Sequence, residues 1–317
     1  MLIFVMRRLV YEMIPLLFFL SISIFILVRV IPGDPLRAII GDEITTLNPA
    51  ERAPLMRELG LDRPLYVQYV SWGKNLLTGD WGRSFISRRP VRAVIVERLP
   101  VTLQISVISW VLAVAMAIPI GVFSALRRNT WADAVVNVFA LVGVATPNFL
   151  FGLLLILVLA VGLGLLPTNG FVPITEDPIK ALKYMVMPVI ALSTGTMAGL
   201  VRQTRSAMLE VMNEDYIRTA RAKGLSPRHV ITRHALKNAL LPVVTIAGLQ
   251  VGNLLSGTVI VETMFSIPGM GRLTVNAVYG QDYALVQMIV LLLAVVHVIA
   301  NLGADIMYVR LDPRIRL

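Results

Sequence analysis

Cysteine is absent from this chain, so it can build neither a disulfide nor a thiolate metal site. Charge is scarce: 15% of the residues are Asp, Glu, Lys or Arg, against about 25% in an ordinary soluble domain. The three histidines, His229, His234 and His297, are too scattered to form a metal cluster. No G-x-x-x-x-G-K-[ST] run occurs, which excludes nucleotide binding through a Walker loop. No nucleophile–base pair stands out, and nothing calls for a cofactor, so an enzyme is not expected. Acidic residues are outnumbered, 19 against 29 basic ones, giving a net charge of +10. The basic residues flank apolar runs instead of forming one patch with interleaved aromatics, which argues against a nucleic-acid partner.

What the chain has in abundance is apolar sequence. Of its 317 residues 56% are hydrophobic, and the mean hydropathy is +0.76. A soluble globule cannot bury that much, so membrane lipid is the expected solvent. Six long apolar runs are present: Leu9–Ile31, Val101–Leu126, Ala134–Leu166, Tyr184–Val201, Ala239–Val261 and Tyr283–Ala304. Each is long enough to span. Leu9–Ile31 is too long for a signal-peptide core and lacks a small-x-small cleavage site, so it is read as a retained helix. Pro147 breaks the third run, so a kink or an interfacial extension is expected there, and the fourth should continue as helix towards Met212.

The expected fold is therefore an all-α membrane protein with six spans. Residues 1–100 comprise an N-terminal span and an outer loop, and 101–309 a core of five spans, near 101–126, 134–164, 184–209, 242–263 and 285–308. Residues 310–317 form a tail. The loop from Ile31 to Pro100 holds ten basic and eight acidic residues, with helical pieces expected near Ala50–Leu59 and Leu65–Leu77. With the N-terminus inside, fifteen Lys and Arg lie at inner ends and loops, against Lys180, Lys183 and Arg272 at the short outer ones. That bias places both termini in the cytoplasm.

Some charged and small residues invite a local reading. Glu12 and Arg29 sit near the ends of the first span, where Arg29 can snorkel to the interface. Glu262 and Asp305 fall near the ends of the fifth and sixth spans. Gly195 with Gly199, and Gly248 with Gly252 and Gly257 beyond, have the spacing of helix-packing positions.

The most informative stretch runs from Asn213 to Pro242. It is polar, basic and punctuated, between apolar runs. Asn213 can cap a first helix, with Glu214 and Asp215 at its positive end. Tyr216, Ile217 and Ala220 share one face, with Arg218, Arg221 and Lys223 turned away. Gly224 is placed to end that helix in a left-handed conformation. Ser226 caps a second helix with Pro227 at its first position, and Pro242 marks the next boundary. These residues suit docking to a protein partner, and equally an amphipathic helix resting on anionic lipid.

At this hairpin the chain resembles the inner-membrane permeases of ATP-binding-cassette (ABC) importers, in particular the B-type subunit of the dipeptide, oligopeptide and nickel branch. The resemblance spans nearly the whole chain. It runs through Pro32-Gly33-Asp34-Pro35, Leu59-Gly60-Leu61-Asp62, Gly79-Asp80-Trp81-Gly82 and Arg98-Leu99-Pro100-Val101-Thr102-Leu103. Glu214-Asp215-Tyr216 and Arg218-Thr219-Ala220-Arg221-Ala222-Lys223-Gly224 follow, then Pro268-Gly269-Met270-Gly271-Arg272, Asp282-Tyr283 and Leu311-Asp312-Pro313-Arg314. It implies a type I importer permease in a prokaryotic inner membrane, forming half of a pathway for di- or oligopeptides. Nickel chelates, glutathione or oligosaccharides are variants on the same architecture. It also implies a second, C-type permease, two cytoplasmic ATPases that hydrolyse ATP, and an extracytoplasmic binding protein. The hairpin would be the segment that couples to an ATPase, through Tyr216, Ile217, Arg218, Thr219, Ala220, Arg221, Lys223, Gly224, Leu241 and Pro242. The family pattern has Glu-Ala-Ala where this chain has Arg218-Thr219-Ala220, and Leu241-Pro242 lies farther from the glycine than usual. A stand-alone secondary transporter would instead need ionisable groups in mid-span, and His297 is the one such residue.

Overall fold

A computed structural model describes residues 6–30, 48, 53, 54, 56, 57, 60 and 62–311. Among the described residues the backbone is helical almost throughout, and the sole extended pairing is an isolated bridge between Arg83 and Pro90. The helices are α1 (Ile14–Val30, after a π-helical turn at Leu9–Met13), α2 (Leu65–Thr78), α3 (Val91–Leu126) and α4 (Trp131–Ala145). Next come α5 (Asn148–Leu155, with a π-helical end at Ile156–Gly162), α6 (Pro178–Val211) and α7 (Asp215–Ala222). Then follow α8 (Pro227–His229), a π-helical segment at Val230–Ala235, α9 (Leu236–Met264), α10 (Met270–Tyr279) and α11 (Tyr283–Leu311).

Among the described residues, five helical stretches are long and apolar enough to cross a membrane: Met6–Leu27, Val91–Leu126, Pro178–Val211, Pro227–Gly252 and Tyr283–Ile306. The sixth expected span is the pair α4 and α5 with its π-helical end, which bends by 107°. Where the sequence predicts a kink, the structure has a full break. Pro147 disfavours helical backbone in the residue before it, and Thr146 is accordingly extended, with φ −85° and ψ 121°. The helices also outrun their apolar stretches. α3 starts at Val91 and so includes Arg92, Glu97 and Arg98; α6 starts at Pro178, capped by Asp177, whose Oδ1 accepts from the amides of Ile179 and Lys180 at 3.1 and 3.0 Å. Hydropathy marks the bilayer, not the helix ends.

Two compact units are present, and they do not follow the division at residue 100. One contains Met6–Val101 and Pro268–Val296; the other contains Thr102–Ile267 and His297–Leu317. In the first, Val91, Ile95, Met270, Leu285 and Ile289 form a buried cluster. Phe25, Tyr69 and Trp72 pack ring on ring, and the Arg29 guanidinium lies 3.4 Å above the Phe25 ring, donating to Gln68 Oε1 at 3.2 Å. Arg29 is thus gathered into protein contacts. The α2 helix covers the expected Leu65–Leu77, while most of the piece expected near Ala50–Leu59 lies outside the described residues. Ser84 donates to the buried Asp282 carboxylate at 2.5 Å, and the Leu285 amide caps the same group at 3.2 Å. Two motifs far apart in sequence, around Gly82 and around Asp282, meet in this bond.

In the second unit α6 is the central element, with 61% of its most apolar stretch buried against α4, α5 and α9. Small residues allow the approach: a Cβ on Gly121 of α3 would lie 2.6 Å from Thr204 Cβ of α6. Gly248 and Gly252 pack against Ala304 and His297 of α11, so these two glycines serve packing within the chain. Trp110 of α3 donates to the Ala247 carbonyl of α9 at 2.8 Å. Glu262, expected near an interface, is fully buried and accepts from Thr102 at 2.6 Å.

Candidate functional site

The hairpin begins where α6 runs out at Met212. Asn213 does not cap the next helix; its Nδ2 donates back to the Leu209 carbonyl at 3.0 Å, and Glu214 occupies the cap position without a side-chain bond. The reason is local: the turn that ends α6 already engages the Asn213 side chain. Asp215 instead sits in the first turn of α7 and pairs with Arg218 at 3.1 Å on the open surface. Gly224 ends α7 with φ +76°, as its position predicts, and Ser226 accepts from His229 N at 3.4 Å with Pro227 first in the helix.

The two faces of α7 are unlike. Ile217 is fully buried and Ala220 nearly so; both join Leu200 and Met208 of α6 and Val243 and Ala247 of α9 in one apolar cluster. Arg218, Thr219, Arg221 and Lys223 are exposed, and Tyr216 is 40% exposed. The Tyr216 hydroxyl accepts from Asn238 Nδ2 at 2.8 Å, which ties α7 to the other arm of the hairpin. Ile217 and Ala220 therefore face the subunit's own helices, and the exposed side of α7 is basic. They are the keel, and the deck is basic.

Pro242 is not a boundary. The helical backbone continues from Pro227 through the π-helical segment into α9, and Leu241 and Pro242 lie inside it. Proline removes one hydrogen bond from a helix. The loss is tolerated here because neighbouring helices and the apolar surroundings hold the backbone. Thr245 returns a bond to the Leu241 carbonyl at 3.0 Å, and Val243 anchors the next turn in the core.

About two turns before the hairpin, Arg205 of α6 makes the main ion pair of this unit. Its Nε and Nη2 each donate at 2.7 Å to the two oxygens of Asp133, which is only 4% exposed. Ser124 Oγ, the Asn129 amide and Asn137 Nδ2 also donate to that carboxylate, at 2.6, 3.1 and 2.8 Å. The loop between α3 and α4 is thereby fastened to the helix that carries the hairpin. Charge counting treats Arg205 as one more inner cation and passes over Asp133. A signal was available: Asp133 is the single acid between Glu97 and Glu176, and a lone acid beside an apolar run needs a partner.

A bundle of apolar helices around a central span, with a basic helical hairpin clamped to it, is the architecture of a transporter's membrane subunit. Residues 117–317 match the family described as binding-protein-dependent transport system inner membrane component, and residues 1–106 match the N-terminal family of the same membrane components. The chain belongs to this family, and it is a multi-pass inner-membrane permease subunit of an ABC importer. It is 41% identical to the oligopeptide transport system permease protein AppB of Bacillus subtilis, over 98% of each chain. It is also 41% identical to the dipeptide transport system permease protein DppB of Escherichia coli K12, over 100% of this chain and 99% of that one. The fold is shared with the inward-facing MetNI methionine ABC transporter, with a TM-score of 0.57 at 18% identity, covering 71% of this chain and 99% of that one.

Proposed function

We propose that this subunit forms half of a path for di- or oligopeptides, with a C-type permease as the other half. Two cytoplasmic ATPases drive it, and an extracytoplasmic binding protein loads it. The peptide cargo is supported by the names of the relatives at 41% identity over nearly full length. The bias of Lys and Arg towards one side supports both termini and the hairpin lying in the cytoplasm.

The observation that carries the coupling role is the two-sided α7 helix. Ile217 and Ala220 fix it to the spans, while Arg218, Thr219, Arg221 and Lys223 lie on its exposed side, where the three cations can meet carboxylates on an ATPase. A short helix seated this firmly transmits displacement that a loose loop would absorb, and two such subunits rocking together give alternating access. Gly224 sets the angle between the arms, and Leu241 and Pro242 carry the second arm into the membrane.

The test is to tag the chain, purify it in mild detergent and identify its companions by mass. A second permease and Walker-containing ATPases are expected, with ATP-dependent peptide uptake after reconstitution. Uptake by this chain alone in liposomes, without ATP, would overturn the proposal.

A further inference from the structure

Within the unit holding Thr102–Ile267, the break between α4 and α5 borders a small cavity of about 270 Å³. That is near the lower end of the roughly 300–1,000 Å³ usual for small-molecule sites. Its walls include Asn148 from α5, Leu192, Gly195 and Thr196 from α6, and Gln250 and Gly257 from α9. Among the described residues, every polar side chain on this wall is neutral. The Asn148 carboxamide sits between two glycines: a Cβ on Gly195 would lie 3.2 Å from its Oδ1, and one on Gly257 would lie 3.7 Å from its Nδ2. Gln250 Nε2 points to the neighbouring turn of α6, 3.9 Å from where a Cβ on Gly199 would be.

Two neighbouring hydroxyls on α6 are satisfied by their own helix. Ser193 and Thr194 both donate to the Ile190 carbonyl, at 3.0 and 2.7 Å. Asn148 and Gln250 differ: among the described residues neither carboxamide has a hydrogen-bond partner within the chain. A carboxamide has two donor hydrogens and an acceptor oxygen, which can pair with water or with a polar solute. Both side chains are half-buried and open to the cavity, so their donors and acceptors are available to a solute that enters it.

We propose that Asn148 and Gln250 hold the backbone amide groups of a peptide in transit, in a neutral site that ignores side-chain charge. A carboxamide presents to a peptide unit the donor and acceptor that the unit itself carries, so it binds any sequence by the main chain. Gly195 and Gly257 keep the walls back from Asn148. This site rests on the peptide cargo proposed above.

The experiment uses the full complex in liposomes with its binding protein, and three labelled dipeptides: Ala-Ala, Lys-Ala and Glu-Ala. Asn148→Leu and Gln250→Leu should each reduce uptake about tenfold, the size of one lost hydrogen bond set. The factor should be the same for all three peptides, and ATP hydrolysis stimulated by loaded binding protein should persist. Gly195→Ala, which crowds Asn148 without removing it, should give a smaller fall in the same direction and guards against a leucine variant that fails to assemble. Unchanged uptake in assembled Asn148→Leu and Gln250→Leu complexes overturns the site, as do losses that track the charge of the peptide. A wild-type complex that hydrolyses ATP but imports none of the three overturns the peptide cargo itself.

Discussion

Arg205 and Asp133, 72 residues apart in sequence, meet through two parallel 2.7 Å hydrogen bonds beside the helix that carries the hairpin. Removing one partner leaves a charge with poor solvation, which for buried pairs costs about 3 kcal/mol. Asp133→Ala should therefore lower the thermal midpoint of the detergent-solubilised subunit. Pairing it with Arg205→Leu should recover much of the loss, because both charges are then gone. A double variant no more stable than the single one would show that the surrounding hydrogen bonds, not the pair, dominate.

Gly224 has a left-handed backbone and open space where a side chain would go: beyond its two chain neighbours, no atom lies within 4 Å of an added Cβ. Any cost of substitution is thus backbone strain, about 1–2 kcal/mol for an ordinary residue. Gly224→Asn should be tolerated best, Gly224→Ala less, and Gly224→Val least. In the reconstituted complex the Val variant should insert and assemble but hydrolyse ATP with uptake lost. Full uptake by the Val variant would show that the turn does not set the coupling geometry.

The two faces of α7 predict two separable defects. Ile217→Ala removes fully buried atoms and should cost about 3 kcal/mol of stability, read as a fall in the midpoint with or without partners. Reversing Arg218, Arg221 and Lys223 to Glu should leave that midpoint nearly unchanged, since all three are exposed. The reversed variant should instead lose its ATPases on purification, more completely at low salt. Retention of the ATPases would place the dock elsewhere.

Much of this hairpin is written in local chemistry, which is why Gly224, Ser226 and Pro227 are legible from sequence: each acts within a few residues of itself. The failures share a cause as well. Whether Ile217 faces a partner or its own subunit depends on α6 and α9, and a helical wheel does not say what lies across from it. Pro242 reads as a stop because isolated helices stop there, whereas packed membrane helices need not. The bonds of Asp133 to Arg205 and of Ser84 to Asp282 cross long stretches of chain, and no spacing rule reports them.

Gly252 leaves just enough room for the ring of His297, since a Cβ there would collide with the imidazole. Gly252→Ala should overpack the contact between α9 and α11 at a cost of about 1–3 kcal/mol. Adding His297→Ala should restore most of the stability by opening the space. Failure of the second change to rescue the first, measured as thermal midpoints of the four variants, would mean that the collision is relieved by a shift of the helices.

The unbroken helical backbone from Pro227 to Met264 has a consequence for building chimaeras. The second arm of the hairpin and the cavity wall that holds Gln250 are one thread of a single screw, so they cannot be exchanged as separate parts. One residue added near Asn238 would turn everything beyond it by about 100° and advance it by about 1.5 Å. Gln250 would then point away from the cavity although no residue near it had changed. In this subunit, reading frame along a helix is itself a component of the transport machine.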